Sequence, residues 1–181
     1  MDGRTILLCG LMGSGKSSVG RLLAERLGHD FIDTDRCVER RAGCTVAELF
    51  RERGEASFRA LERQVLAELP ALRAVVALGG GAVASAEGRA LVAGKGTLVW
   101  LDARPETLAT RVGDGAGRPL LAGLDEDARV ARLRDLAQQR ATAYGQAALR
   151  VSTDERTPDQ VCDAVLAGLA TIPDVPAERS R

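Results

Sequence analysis

The residues with the plainest chemistry lie between Gly10 and Ser17, where the chain reads Gly-Leu-Met-Gly-Ser-Gly-Lys-Ser. This is the full G-x-x-x-x-G-K-[ST] pattern of a polyphosphate-binding loop, with a short apolar run before it and a helical pattern after it. Glycines let the backbone wrap an anion so that successive N–H groups point inward, at a helix amino terminus that favours negative charge. Gly13, Ser14, Gly15 and Ser18 then frame the phosphates of ATP. Lys16 reaches the β- and γ-phosphates, and the Ser17 hydroxyl holds magnesium. The chain has only two lysines, Lys16 and Lys95, and no asparagine. Codon bias is the plain cause of such an arginine-rich composition. A lysine kept in a tight loop is still telling, because a guanidinium cannot replace a compact ammonium there.

Four further groups of residues stand out. Asp33-Thr34-Asp35 ends a short apolar stretch; if the strand continues that far, alternation sends both carboxylates to one side. One carboxylate can then fix magnesium and the other a substrate hydroxyl; the alternative is a helix cap. Glu62 and Arg140 interrupt apolar helical stripes, where an unpaired buried charge costs about 3–5 kcal/mol. Arg59 and Glu62 can meet at i,i+3. Arg140 has no such neighbour, so it either snorkels to the surface or meets a ligand carboxylate that suits its planar fork. Gly79-Gly80-Gly81 is either a simple turn or a place where backbone approaches a ligand. Arg118, in a glycine-rich stretch, is either solvated or swings onto the phosphates.

Composition removes several classes. The 181 residues carry 25 basic and 25 acidic side chains, without the basic excess expected of a general nucleic-acid binder. The four cysteines have no CxxC spacing and His29 is the sole histidine, which argues against zinc and a Ser-His-Asp triad. A guanine-selecting switch typically needs an Asn-Lys-x-Asp stretch, which a chain without asparagine lacks. No apolar run is long enough for a membrane span or signal peptide, so a cytoplasmic protein is expected.

These residues need a scaffold. Thr5–Cys9, Phe31–Ile32, Ala74–Leu78, Thr97–Leu101 and Leu149–Ser152 read as strands. Helical periodicity covers Lys16–Leu27, a short helix from the Thr45/Glu48 capping box through Phe50, and a longer one carrying Phe58, Leu61, Val65 and Leu69. Further helices start at Pro105, run through Val130–Tyr144, and start at Thr157-Pro158. The segment 113–125, with four glycines and a proline, reads as a mobile loop. Alternating strands and helices imply an α/β fold with a parallel sheet covered on both faces. Ligands bind outside the carboxyl ends of such strands, where the motifs fall.

Taken together, the ordered set resembles the shikimate kinase family from about Ile6 to Leu169. It comprises the loop, the Asp-Thr-Asp, Phe58-Arg59 with Glu62, Gly-Gly-Gly-Ala, Arg118-Pro-Leu-Leu, and Arg140 ahead of Tyr144. The resemblance implies a three-layer, P-loop nucleoside-monophosphate-kinase-like fold with a five-stranded parallel sheet. It further implies that Ser17 and Asp33 serve magnesium and that Asp35 binds shikimate hydroxyls. Arg59 and Arg140 are expected to grip the shikimate carboxylate, with Glu62, Gly79, Gly80 and Gly81 in the same pocket and Phe50 and Phe58 packing nearby. Arg118 belongs to a lid at about 113–125 that touches ATP phosphates, and Arg111, Arg156 and Pro158 fall where adenine is held. Lys16, Asp35 and Arg118 are then the catalytic set. The loop reads Ser17-Ser18 where Ser-Thr is frequent. The expectation is one domain over 1–171, monomeric, with a disordered tail over 172–181. The activity expected is γ-phosphoryl transfer from MgATP to the shikimate 3-hydroxyl, with gluconate or a nucleoside monophosphate as rival acceptors.

Overall fold

The computed structural model describes residues 3–115 and 117–172. The expected tail, apart from Ile172, and Ala116 within the glycine-rich segment lie outside the described residues. Five strands, β1 (Thr5–Cys9), β2 (Asp30–Asp33), β3 (Ala74–Ala77), β4 (Gly96–Asp102) and β5 (Leu149–Ser152), form one sheet in the order β2-β3-β1-β4-β5. Every neighbouring pair is parallel. The helices are α1 (Lys16–Leu27), α2 (Thr34–Ala42), α3 (Val46–Ala67), α4 (Ala86–Val92), α5 (Pro105–Val112), α6 (Glu126–Tyr144) and α7 (Pro158–Thr171).

Alternation along β1 divides the core between two faces, as a strand buried on both sides requires. Ile6 and Leu8 pack with Val19 and Leu23 of α1 and with Val161 and Val165 of α7. Leu7 and Cys9 point the other way, into a cluster with Leu66 of α3, Val92 of α4, Leu108 of α5 and Leu133 and Tyr144 of α6. The result is the three-layer, nucleoside-monophosphate-kinase-like arrangement expected above. A smaller cluster of Val38, Leu49, Phe58 and Val65 joins α2 to α3 beyond the edge of the sheet. Burial pushes the Cys9 thiol up from 9.0 to about 12, so it acts as a core side chain.

The short and long helices expected around Phe50 and Phe58 are both present within α3, separated by non-helical backbone at Gly54. Two other elements differ from the sequence reading. Helix α4, not anticipated, starts at Ser85, whose side chain accepts the N–H of Gly88. β2 is longer than Phe31–Ile32 and stops at Asp33, where the chain enters α2 directly. Among the described residues of the segment 113–125, the N–H of Arg118 bonds the Gly115 carbonyl, and that of Leu121 bonds the Arg118 carbonyl. Leu121 is fully buried and anchors it to the core. Among the described residues no helix is long and apolar enough to cross a membrane.

Candidate active site

The loop from Gly10 to Ser17 leaves the carboxyl end of β1 and enters α1 with no side-chain cap and no acidic residue in the first turn. Most other helices here are capped by an Asp, Ser or Thr side chain. The first N–H groups of α1 thus point at the cavity without a protein acceptor of that kind, as anion binding requires. The Lys16 ammonium donates to the carbonyls of Gly10 and Leu11, both at 2.9 Å. Burial draws its pKa from 10.5 down to about 8, opposed chiefly by the negative charge of Asp35. Ser14 is buried and its hydroxyl has no protein partner.

Asp33 is both a helix cap and part of the site. Its Oδ1 accepts the N–H groups of Asp35 and Arg36 at 3.1 and 3.4 Å, capping α2. Its Oδ2 accepts the Ser17 hydroxyl at 2.7 Å. Asp35 therefore enters the cavity from the first turn of a helix, and not by strand alternation as the sequence suggested. Burial raises its pKa above 3.8, with Lys16 pulling the other way. The Ser17–Asp33 pair offers a hydroxyl and a carboxylate side by side, a donor set suited to magnesium. Among the described residues no cluster of three metal-ligating side chains occurs. Such a pair fits a Mg²⁺ that takes its other ligands from phosphates and water.

The glycine triplet after β3 faces the other functional side chains one by one. A Cβ at Gly79 would stand 2.6 Å from Asp35 Oδ1 and 2.9 Å from Glu62 Oε1. One at Gly80 would lie 3.3 Å from the Arg140 guanidinium, and one at Gly81 2.6 Å from that of Arg59. A side chain at Gly79 or Gly81 would displace these groups from their present positions against the backbone. Arg59 donates to Glu62 Oε2 at 2.7 Å and to Glu55 Oε1 at 3.0 Å. Arg140, 8 % exposed, donates to the Gly80 carbonyl at 2.6 Å, and the Tyr144 hydroxyl donates to the same oxygen. Glu62 is 4 % exposed, its Oε1 has no protein partner, and burial raises its pKa above 4.5 against the pull of Arg59.

At the far end, Arg111 donates to the hydroxyl and the carbonyl of Thr153 at 2.8 and 2.6 Å and to the Gly13 carbonyl at 3.3 Å. This ties the phosphate loop to the end of β5. Arg118 stands on the cavity wall, near enough for its charge to bear on both Lys16 and Asp35.

One cavity of about 730 Å³ collects these residues. Its walls include Gly13 to Ser18, Asp33, Asp35, Phe50, Phe58, Arg59, Glu62, Gly80, Gly81, Arg111, Arg118, Arg140, Arg156 and Pro158. Gly79 is the exception among the anticipated residues: it lies behind Asp35 and Glu62, and its N–H bonds the Thr34 hydroxyl. Arg36 and Glu39 also line the cavity and were not anticipated. Their i,i+3 pairing, which begins at the residue after Asp35, was the available signal. Thr34 and Thr153, both buried, gave none, because each acts on a partner distant in sequence.

Comparison with known proteins gives this geometry a family. The shikimate kinase family model matches residues 12–170. The shikimate kinase of Symbiobacterium thermophilum is 50% identical over 165 residues, 89% of this chain and 93% of its own. That of Gloeobacter violaceus is 48% identical over 172 residues, 94% of each chain. Among solved structures, shikimate kinase from Acinetobacter baumannii in complex with shikimate matches with a TM-score of 0.87 at 34% identity, covering 92% of this chain and 93% of that one. With the family model spanning most of the sequence and relatives aligned nearly end to end, the chain belongs to the shikimate kinase family.

Proposed function

We propose that the chain transfers the γ-phosphoryl group of magnesium-bound ATP to the 3-hydroxyl of shikimate, giving shikimate 3-phosphate and ADP. Membership of the family makes it an ATP-dependent kinase of the shikimate pathway, which feeds aromatic amino-acid synthesis. The observation that supports the assignment of roles is that one cavity brings together the phosphate loop, the Ser17–Asp33 pair, Asp35, and Arg59 and Arg140 against the glycine triplet. The relative solved with shikimate supports the choice of acceptor.

On this reading Arg59 and Arg140 grip the shikimate carboxylate, and Gly80, Gly81 and Glu62 complete that end of the pocket. Phe50 and Phe58 pack against the ring. Asp35 orients the attacking hydroxyl beside the γ-phosphoryl group and accepts its proton. Lys16 and Arg118 neutralise charge on the transferring group, while Arg111, Arg156 and Pro158 hold the adenine end. Magnesium, held through Ser17 and Asp33, supplies further neutralisation of phosphate charge when bound. Catalysis is then alignment and electrostatics, with little covalent work for the protein. The segment 113–125 acts as a lid carrying Arg118, on a single catalytic domain over 1–171 that works as a cytoplasmic monomer.

An assay of ATP consumption with shikimate, gluconate and nucleoside monophosphates, with and without magnesium, tests the reading. Turnover with shikimate alone, dependent on magnesium and giving a product one phosphate heavier, is expected. Turnover with gluconate or a nucleotide in place of shikimate would overturn it.

A further inference from the structure

Helix α3 is broken by one residue. Gly54 adopts φ 73 and ψ 171, while its neighbours on both sides belong to helical turns. That conformation lies in a region of backbone space open essentially to glycine alone. Space is not the reason for the glycine, since a Cβ there would meet nothing within 4 Å. The position requires glycine for the direction it gives the chain.

The consequence is visible in two rings. Phe50 and Phe58 flank the break, and their centroids stand 4.9 Å apart at an interplanar angle of 43°. In an unbroken helix residues eight apart are separated by about 12 Å along the axis. Both side chains would also lean toward the amino end, so neither could close that gap. Breaking the helix at Gly54 turns the first half back and sets Phe50 against Phe58. The same break starts the second half close to Glu55, whose carboxylate takes the Nε and NH2 of Arg59 at 3.2 and 3.0 Å. The Arg59 guanidinium lies 5.2 Å from the centre of the Phe58 ring. Phe50, Phe58 and Arg59 all line the cavity, whereas Gly54 does not.

We infer that Gly54 is a positioning residue for acceptor specificity. Its backbone break assembles a two-ring apolar wall beside Arg59, shaped for the flat C–H face of a cyclic acid and poorly matched to an open-chain polyol acid. The inference rests on the proposed phosphorylation of shikimate and goes beyond it, because Gly54 lies outside the cavity wall.

Five proteins test it: the wild type, Gly54→Ala, Gly94→Ala, Phe50→Leu and the Gly54→Ala/Phe50→Leu double variant. Gly94 has φ 75 and equally open surroundings, and it stands between α4 and β4 outside the cavity wall. It therefore reports the cost of alanine at an open position of positive φ away from the cavity. Gly54→Ala is expected to raise the KM for shikimate about tenfold, the lower end of what a lost pocket contact costs a bound ligand. The KM for ATP should stay within about twofold, a change of no energetic consequence. Gly94→Ala should lose thermal stability and keep both KM values. Phe50→Leu, which leaves the backbone alone, should reproduce the selective rise, and adding Gly54→Ala to it should raise the shikimate KM little further. The proposal is overturned if Gly54→Ala behaves as Gly94→Ala does, or if both of its KM values rise together. A normal shikimate KM in Phe50→Leu overturns it even should Gly54→Ala not fold. A wild type unable to phosphorylate shikimate removes the functional reading, and this inference with it, and is told apart by the wild-type assay.

Discussion

The buried hydroxyl of Thr34 accepts the main-chain N–H of Gly79 at 2.8 Å, across 45 residues of sequence. This bond joins the start of α2, which carries Asp35, to the glycine turn that faces Arg59 and Arg140. Thr34→Val keeps the shape and leaves a buried N–H without an acceptor. The expected loss of stability is about 1–3 kcal/mol, read by urea denaturation. A higher KM for shikimate should accompany it, with the KM for ATP close to that of the wild type. Full stability in the valine variant would mean that another acceptor reaches Gly79.

Arg140 is held by the Gly80 carbonyl at 2.6 Å inside an otherwise apolar helix face. If it binds the acceptor carboxylate, Arg140→Ala should weaken shikimate binding by about tenfold to a hundredfold. ATP affinity should barely move. Arg140→Lys should recover only part of the loss, because a point charge cannot reproduce a bidentate fork. A shikimate analogue with a neutral amide in place of the carboxylate should bind the wild type poorly and distinguish little between wild type and Arg140→Ala. An amide that binds the wild type as well as the acid does would refute the carboxylate clamp.

Arg118 makes its turn with main-chain groups, so truncating its side chain leaves the anchor at Leu121 in place. Arg118→Ala should therefore lower kcat more than it weakens shikimate binding, as expected of a group acting on the donor phosphates. Steady-state kinetics alongside equilibrium binding check this. A collapse of shikimate affinity at unchanged kcat would place the side chain elsewhere.

Glu62 gives a pH test of stability. Burial holds its folded pKa above 4.5, so the folded chain takes up this proton more readily than the unfolded one. Its contribution is fully present below the unfolded pKa and is lost as pH rises through the folded value. Glu62→Gln does not titrate. Denaturation at pH 4, 5, 6 and 7 should show the wild type losing stability relative to Glu62→Gln as pH rises. A difference that grows in favour of the wild type would mean that pairing with Arg59 outweighs burial.

Legibility in the sequence followed the range of the interactions. β1, its loop and α1 were plain because an apolar run, glycines and a helical stripe lie within a few turns of one another. β2 was read short: it is an edge strand whose ends are Asp30 and Asp33, so the apolar signal covers only its middle. Helix α4 was missed because it is only seven residues long and carries a glycine inside it, which weakens a helical pattern. Gly88 packs so tightly on the Ala82 carbonyl that a Cβ would fall 1.8 Å from the oxygen, and Arg89 donates to the carbonyls of Val83 and Ala84. Charges inside apolar stripes, Glu62 and Arg140, pointed to the cavity by themselves. The hydroxyls of Thr34 and Thr153 did not, since nothing local distinguishes a threonine that serves a partner across the sheet.

The place of β1 in the sheet bears on how the chain is made. Ile6 pairs with Val75 and Thr5 with Gly96, so the strand that carries the phosphate loop precedes both of its neighbours in the chain by more than sixty residues. At roughly 5–20 residues per second on the ribosome, Thr5–Cys9 waits for seconds before both neighbours exist. During that interval its apolar side chains have no sheet to enter. The nucleotide site is also unfinished, because its far wall includes Thr153 and Arg156, which are synthesised later still. ATP therefore stabilises the finished enzyme by binding it, and gives the growing chain no such help.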